Sequence, residues 1–452
     1  MNLLNIKKHI IRIILLQASK FSAVSPVKSL KRIVALLEIL ASRRDRQLFR
    51  KIRNTLSEEN PQFQLYRRIL VESNSTFRDK FITNLIVQGF ILNLKKRYQA
   101  LKEGLQVPTT ILISPTMRCN LSCLGCYAGS YTKKEDLEFE TVDRIIQEGK
   151  EIGVAFFTIL GGEPFIRDDL FYIYKKHNDV FFNVFTNGTM LDENTVGKLV
   201  ELGNVMPTLS IEGFKEETDQ RRGKEVYEKV LKTMEILKTN KIPFGYSVTV
   251  TKKNIDIVTS DEFIDMMINK GAIIGWYFLY MPIGRNPDLS LMPTPAQRLY
   301  LKEKRDHIRE NKPLFIIDFW NDAPYVGGCI AAKEYIHINH KGDVEPCIFT
   351  HFAGANIKNT SLKDALNCRF FKEIRKRQPY SDNLYLPCML IDNPQISREL
   401  YKNCKIYPTH EGAECLFFDI AGKLDEYSKN VRDIYDEVWA KEKKFLAKKP
   451  QK

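Results

Sequence analysis

The stretch TMRCNLSCLGCYAG, residues 116–129, places Cys119, Cys123 and Cys126 within eight residues, separated only by small, apolar and uncharged polar side chains. Three thiols this close suggest a ligand set. Structural zinc takes four ligands, and no Cys or His follows nearby to complete one. A cubic four-iron cluster usually takes four thiolates. With three, one iron stays open, much as catalytic metal sites keep a position free for substrate. The reading without chemistry, three cysteines used as small core residues, leaves the spacing unexplained.

Outward from this loop the sequence alternates. TTILIS (109–114), VAFFTIL (154–160), VFFNVFT (180–186), MPTLSIE (206–212), FGYSVTVT (244–251) and IIGWYFLYM (273–281) read as strands. Helical patterns lie between them, near 139–152, 225–239 and 260–269 among others. Six strand–helix units with apolar, β-rich strands predict a parallel sheet covered by helices. Six strands are too few for a closed eight-stranded barrel, so the expected fold is α/β, a partial (β/α)6 parallel barrel. In such sheets chemistry sits at the C-terminal strand ends, which is where the cysteine loop falls.

The resemblance is to the radical S-adenosylmethionine (SAM) superfamily. It is carried by C-x3-C-x2-C at Cys119, Cys123 and Cys126 and by a series of strand-end motifs across about 108–285. Gly161, Gly162, Glu163 and Pro164 match the family's GGEP, and Asn187 lies in a TNG turn. The resemblance implies a [4Fe-4S] cluster on the three cysteines whose open iron binds SAM. One electron then splits the sulfonium into methionine and a 5′-deoxyadenosyl radical that abstracts hydrogen from substrate. It further implies SAM contacts at GGEP, at Ser210 and Glu212, at Arg221 or Arg222, at Ser247 and Thr249, and around Tyr280, Met281 and Pro282. A reduced electron donor such as flavodoxin or ferredoxin is implied as partner. One departure stands out: the residue before the third cysteine is often aromatic in the family, and here it is Gly125.

Six further cysteines lie downstream. Cys329 and Cys347, with Gly342 five residues before the latter, are similar to the opening of a SPASM or twitch extension. HINHKGDVEPC reads as a hairpin with Lys341-Gly342 at its tip. The resemblance implies one auxiliary iron–sulfur cluster on Cys329, Cys347 and Cys388. Its fourth ligand is open between Cys404, Cys415, His351 and none. Cys368 reads as a small residue in a helical run. DFWNDAP (318–324) reads either as cavity lining or as a packed turn.

Of the formal net charge of +14, all resides in residues 1–107, which hold 21 Lys and Arg against 7 Asp and Glu; the 48 basic and 48 acidic residues that follow cancel. Such asymmetry points to an anionic partner. Without a zinc-finger, RRM or KH signature, no nucleic acid is expected. No run is long or clean enough for a signal peptide or a spanning helix. Leu3, Ile6, Ile10, Ile13 and Ile14 share one helical face opposite Asn5, Lys8, His9 and Arg12, as in helices that lie in a headgroup layer. An ordinary surface helix has the same pattern. The expected organisation is 1–107 basic and helical, 108–310 radical SAM core, 311–420 a small cysteine-rich α+β auxiliary domain, and 421–452 a C-terminal helix and basic tail. The expected location is cytoplasmic, with peripheral contact on the inner membrane face. Substrate expectations are a membrane lipid chain with carbon–carbon bond formation, a peptide modified by a SPASM-type maturase, or no substrate at all in an iron–sulfur electron carrier. The pattern through FWNDAP and HINHKGDVEPC resembles the lipid-acting members.

Overall fold

The computed structural model describes residues 59–448, with Ser57 and scattered positions between Lys28 and Arg53. The amphipathic pattern of residues 3–14 and most of 27–53 lie outside the described residues.

Alternation of apolar strands with amphipathic helices builds one sheet. β1 (Thr110–Thr116), β2 (Phe156–Gly161), β3 (Phe181–Thr186), β4 (Val205–Ser210), β5 (Phe244–Val250) and β6 (Ala272–Leu279) are the six expected strands. Three more join them: β7 (Phe315–Asp318), β8 (Tyr335–Ile338) and β9 (Val344–Glu345), in the order β7-β6-β5-β4-β3-β2-β1-β8-β9. Within this sheet every ladder is parallel except β8–β9, which is the expected hairpin, with Gly342 at φ +89° in its turn. β7 carries the start of DFWNDAP. The hydrophobic run FIID is short and follows a helix with little apolar character, so periodicity does not announce it.

The helices between strands form where the sequence supplies caps and a single apolar face. Phe139–Ile152 buries Val142, Ile145, Ile146 and Ile152 and stops at Gly153, which sits at φ +103°. Asp192 and Ser260 cap the helices that follow them by accepting from the Thr195 and Phe263 N–H groups. Pro295–Asn311 opens on a capping box between Thr294 and Gln297. From its first turn the fully buried Arg298 pairs with Asp392 at 2.6 Å, fastening this helix to the segment after Cys388.

The described N-terminal helices cross the base of the barrel, where the strands begin. Pro61–Arg67, Ser75–Lys80 and Asn93–Lys102 are joined by wide π-helical turns, and Asn60 and Asn74 cap the first two. Phe77 lies between Phe81 and Phe181, at centroid distances of 6.0 and 5.7 Å. Asn84 donates to the carbonyls of Asn178 and Val180, Arg97 to that of Gly153, and Arg68 to that of Pro313. Each of these carbonyls lies within three residues of the start of a strand. Among the described residues no helix is long and apolar enough to cross a membrane.

Phe77→Ala empties the centre of this base cluster. It is expected to lower unfolding stability by about 3–5 kcal/mol and to speed proteolysis within residues 59–102. Unchanged denaturation and cleavage would mean the helices are not anchored there.

Candidate active site: two cysteine groups on one cavity

The cysteine loop leaves the C-terminal end of β1 and is held from both sides. The Gly162 N–H donates to Thr116 O at 2.9 Å and the Glu163 N–H to Arg118 O at 2.8 Å. A Cβ at Gly161 would lie 2.3 Å from Thr116 O, and one at Gly162 would lie 2.1 Å from Arg118 O. Only glycine lets the second loop press its backbone onto the first. Cys119, Cys123, Cys126, Gly161 and Gly162 all face one cavity of about 1110 Å³.

Glu163 and Pro164 lie beneath that wall. Glu163 is fully buried and accepts from Phe165 N–H (3.1 Å), Thr186 Oγ1 (2.8 Å) and Asn187 N–H (2.7 Å), so its carboxylate shapes the TNG turn. Burial pushes its carboxyl up to about 7 against the pull of those donors. Asn187 does reach the cavity; its Nδ2 lies 3.7 Å from Cys119 Sγ and donates to Asn120 Oδ1 at 2.8 Å.

Glu212 is buried too. Its Oε1 accepts from Arg221 (2.5 Å) and Arg222 (2.5 and 2.8 Å), while Oε2 accepts from the Thr249 N–H (3.0 Å). Two guanidiniums against one carboxylate leave a single positive charge beside Cys123 and Cys126, and both arginines line the cavity. Arg221 also holds the cysteine loop, its carbonyl accepting from the Leu124 N–H at 2.8 Å. Ser210 and Ser247 face the cavity with their hydroxyls 3.3 Å apart, and Thr249 is beside them.

Tyr280 resolves the departure at Gly125. A Cβ at Gly125 would meet Tyr280 Cε2 at 2.7 Å, so the ring at the end of β6 occupies the space beside the third cysteine. The aromatic group missing from position 125 is supplied from across the barrel. Sequence reasoning passed over Arg285, which donates to Ser122 Oγ (2.5 Å) and Cys123 O (3.3 Å) and lines the cavity. Its signal was position, three residues beyond Pro282 at the sixth strand end.

Cys329, Cys347 and Cys388 line the same cavity from the opposite side. Tyr335 Oη lies 2.8 Å from Cys347 Sγ, and burial pushes the Cys329 thiol up to about 12. The three candidates for a fourth ligand are engaged elsewhere. His351 bonds His410 (2.6 Å) and Ile348 O (3.1 Å), Cys404 neighbours Arg369 and Glu373, and Cys415 neighbours Asp419. Cys368 precedes the helix Arg369–Arg377 and is also outside the cavity wall. Among the described residues no three metal-ligating side chains are gathered for a single ion. Three thiols in each group, with the fourth-ligand candidates outside the cavity wall, suit a cluster that brings its own sulfide better than structural zinc, which takes four protein ligands.

Between the two groups the wall is aromatic. Trp276, Phe278 and Phe319 stack at 5.3–6.4 Å, with Phe185, Trp320 and Phe349 packed around them. DFWNDAP is thus both of its readings at once: Phe319 and Trp320 face the cavity, while Asn321 Nδ2 donates to Asp318 Oδ2 at 2.6 Å to fix the turn.

Glu163→Ala strands the Thr186 hydroxyl and the Asn187 N–H, and is expected to cost about 2–3 kcal/mol. Because the folded carboxyl binds its proton more tightly than the unfolded one does, its share of stability is complete below about pH 4.5. That share is lost as pH rises through about 7. The wild-type advantage over Glu163→Ala should therefore narrow across that interval in denaturation measured at several pH values; a widening gap would reverse the assignment.

Known proteins carry the same arrangement. The model of the radical SAM superfamily matches residues 113–265, and that of an iron–sulfur cluster-binding domain, SPASM, matches 329–389. An AdoMet-dependent heme synthase of Methanosarcina barkeri is 24% identical over 298 residues, 59% of this chain and 85% of its own length. The uncharacterized protein MJ0907 of Methanocaldococcus jannaschii is 32% identical over 251 residues, 52% of this chain and 84% of its own. The sporulation killing factor maturation protein SkfB of Bacillus subtilis is 26% identical over 296 residues, 60% and 71% of the two chains. In fold, Streptococcus suis SuiB bound to S-adenosylmethionine superposes with a TM-score of 0.52 at 20% identity, covering 65% of this chain and 71% of that one. These matches bring with them a SAM-binding [4Fe-4S] cluster, SAM itself, auxiliary iron–sulfur clusters and the need for a reductant. They also set aside the electron-carrier reading, since the relatives are named as synthases and maturases. This chain belongs to the radical SAM superfamily and is an enzyme of that superfamily with a C-terminal SPASM domain.

Proposed function

We propose that this enzyme abstracts hydrogen from a substrate held between its two cysteine groups, and that the part of the substrate lying there is an apolar chain, with a membrane lipid tail as the best-fitting class. One observation carries the reading: a single cavity has Cys119, Cys123 and Cys126 in one wall, Cys329, Cys347 and Cys388 in the other, and an aromatic and aliphatic passage between. Burial of an alkyl chain in such a passage is favourable by about 25 cal/mol per Å² of apolar surface. Its C–H bonds have no acidic proton and no leaving group, so they yield to a radical and not to acid–base chemistry.

On this reading Cys119, Cys123 and Cys126 hold the first cluster by three corners. The bound cluster and SAM supply a 5′-deoxyadenosyl radical once an electron arrives from a flavodoxin- or ferredoxin-like donor. The chain's own residues bind and orient. Backbone at Gly161 and Gly162 faces the SAM ammonium, with Glu163, Pro164 and Asn187 fixing that backbone. Arg221 and Arg222 offer their shared positive charge to the SAM carboxylate. Ser210, Ser247 and Thr249 offer donors and acceptors to the ribose, Glu212 positions the arginines, and Tyr280 flanks the adenine. The aromatic wall excludes water from the radical. Cys329, Cys347 and Cys388 hold one auxiliary cluster without a fourth protein thiol.

Peptide modification is the second reading, supported by the maturation protein among the relatives; the heme synthase is a reminder that relatives act on more than one substrate class. Reconstituted, reduced enzyme is expected to form 5′-deoxyadenosine from SAM, and Cys126→Ala to lose at least about 100-fold of that activity. The Cys119/Cys123/Cys126 triple Ala variant should retain about four irons per chain; an iron-free triple variant would remove the auxiliary cluster. Lipid and peptide profiles of cells with and without the gene decide between substrates: a changed peptide with unchanged lipids would overturn the lipid reading.

A further inference from the structure

The cavity extends well below the cysteine loop that follows β1, to the level of Tyr335 and Cys347. It runs down the bore of the barrel to Thr109, Phe156 and Phe315, at the starts of β1, β2 and β7, and Glu334 just before β8 also lines it. Its lower rim carries the partly exposed side chains of Phe315, Val326 and Tyr325, the last 73% exposed, with the Arg309 guanidinium 4.8 Å from the Phe315 ring centroid and paired to Asp322 in the same lining. The sheet order leaves β7 and β9 as its two edges, and the rim residues of this mouth come from the start of β7 and from the segment between β7 and β8.

The N-terminal helices flank the same end. Arg68 donates to Pro313 O on one side of the mouth, and Gln106 Nε2 to Lys333 O on the other. On their outer surface Phe90, Ile91, Leu94, Tyr98 and Leu101 are exposed, Tyr98 at 60%. Spaced at four, four and three residues from Phe90, they form a stripe along one helical face. Lys95 and Lys102 lie among them, with Lys102 Nζ 4.9 Å from the Tyr98 ring centroid, while Arg97 and Lys96 turn to the carbonyls of Gly153 and Lys150. Five large exposed apolar residues interleaved with lysines mark a surface that water alone does not suit. A headgroup layer satisfies both, taking the apolar stripe into its acyl boundary and the cations at its phosphates.

We propose that the base of the barrel is the loading face: the stripe Phe90–Leu101 seats on an anionic bilayer, and an apolar chain enters the bore through the mouth at Phe315, Tyr325 and Val326. This deepens the lipid reading above and rests on it for the identity of the chain, but vesicle binding is read without turnover and so stands or falls separately. The charge of residues 1–107, a net +14, favours an anionic surface over a second copy of this equally basic chain.

The test uses the full-length, cluster-loaded enzyme and vesicles of phosphatidylcholine with or without phosphatidylglycerol. Wild type is expected to sediment with the anionic vesicles at low salt and to release as salt rises. The Leu94→Glu/Tyr98→Glu/Leu101→Glu variant should partition at least tenfold less, with 5′-deoxyadenosine formation from SAM unchanged. For the bore, a stearic acid spin-labelled near its methyl end should show an immobilised EPR signal with wild type, and Ile317→Trp should diminish it while leaving vesicle binding intact. Equal partition of the triple variant, or a wild-type dimer that the substitutions dissociate in place of vesicle binding, would overturn the membrane seat. An immobilised signal indifferent to Ile317→Trp would overturn the entry route. Failure of SAM cleavage in wild type would instead strike the proposed chemistry.

Discussion

The site depends on the contact between two loops with no side chain between them. Where β2 ends, Gly161 and Gly162 bring their backbone to within reach of Thr116 O and Arg118 O, closer than any Cβ allows. The cysteine loop thereby receives a second anchor beyond its own strand, and the hydrogen bonds from Gly162 and Glu163 fix its height above the sheet. Glu163, buried beneath, extends the clamp to the third strand end through Thr186 and Asn187. Three consecutive strand ends are thus locked in register by backbone proximity and one carboxylate. The reactive geometry is set before any cofactor binds.

The electrostatics follow from that lock. Burial, joined by the neighbouring thiols, pushes the thiols of Cys119 and Cys126 up. Arg221, Arg222 and Arg285 bring positive charge to this wall, and Glu212 removes one charge while holding two guanidiniums still. A pair of arginines sharing one carboxylate loses less entropy on meeting an anion than free side chains do. Elsewhere the lining is largely aromatic, with Trp276, Phe278 and Phe319 stacked together.

How much of this was legible beforehand depended on whether the signal was local. Cys119, Cys123 and Cys126, the GGEP and TNG motifs, and the six apolar strands each announce themselves within a few residues, and the parallel α/β barrel followed from their order. What escaped was set by tertiary packing. β7 is four residues long and is a strand only because β6 offers an edge. Tyr280 stands in for the aromatic absent at Gly125 through a contact spanning more than 150 positions, which no spacing rule reveals. The resemblance places Glu163 among the GGEP contacts; in the structure its carboxylate is buried and accepts from three donors. The fourth ligand to Cys329, Cys347 and Cys388 stayed open in sequence since Cys404, Cys415 and His351 were all plausible by distance along the chain. In space each has other neighbours.

The ladder between β1 and β8, Thr110 to Ile113 against Tyr335 to Ile338, makes the barrel and the SPASM segment one hydrogen-bonded body. Cys119 follows one strand of that ladder and Cys347 follows the hairpin begun by the other. The spacing between the two cysteine groups is therefore set by the sheet itself, so whatever lies between them meets two walls tied by one set of backbone hydrogen bonds.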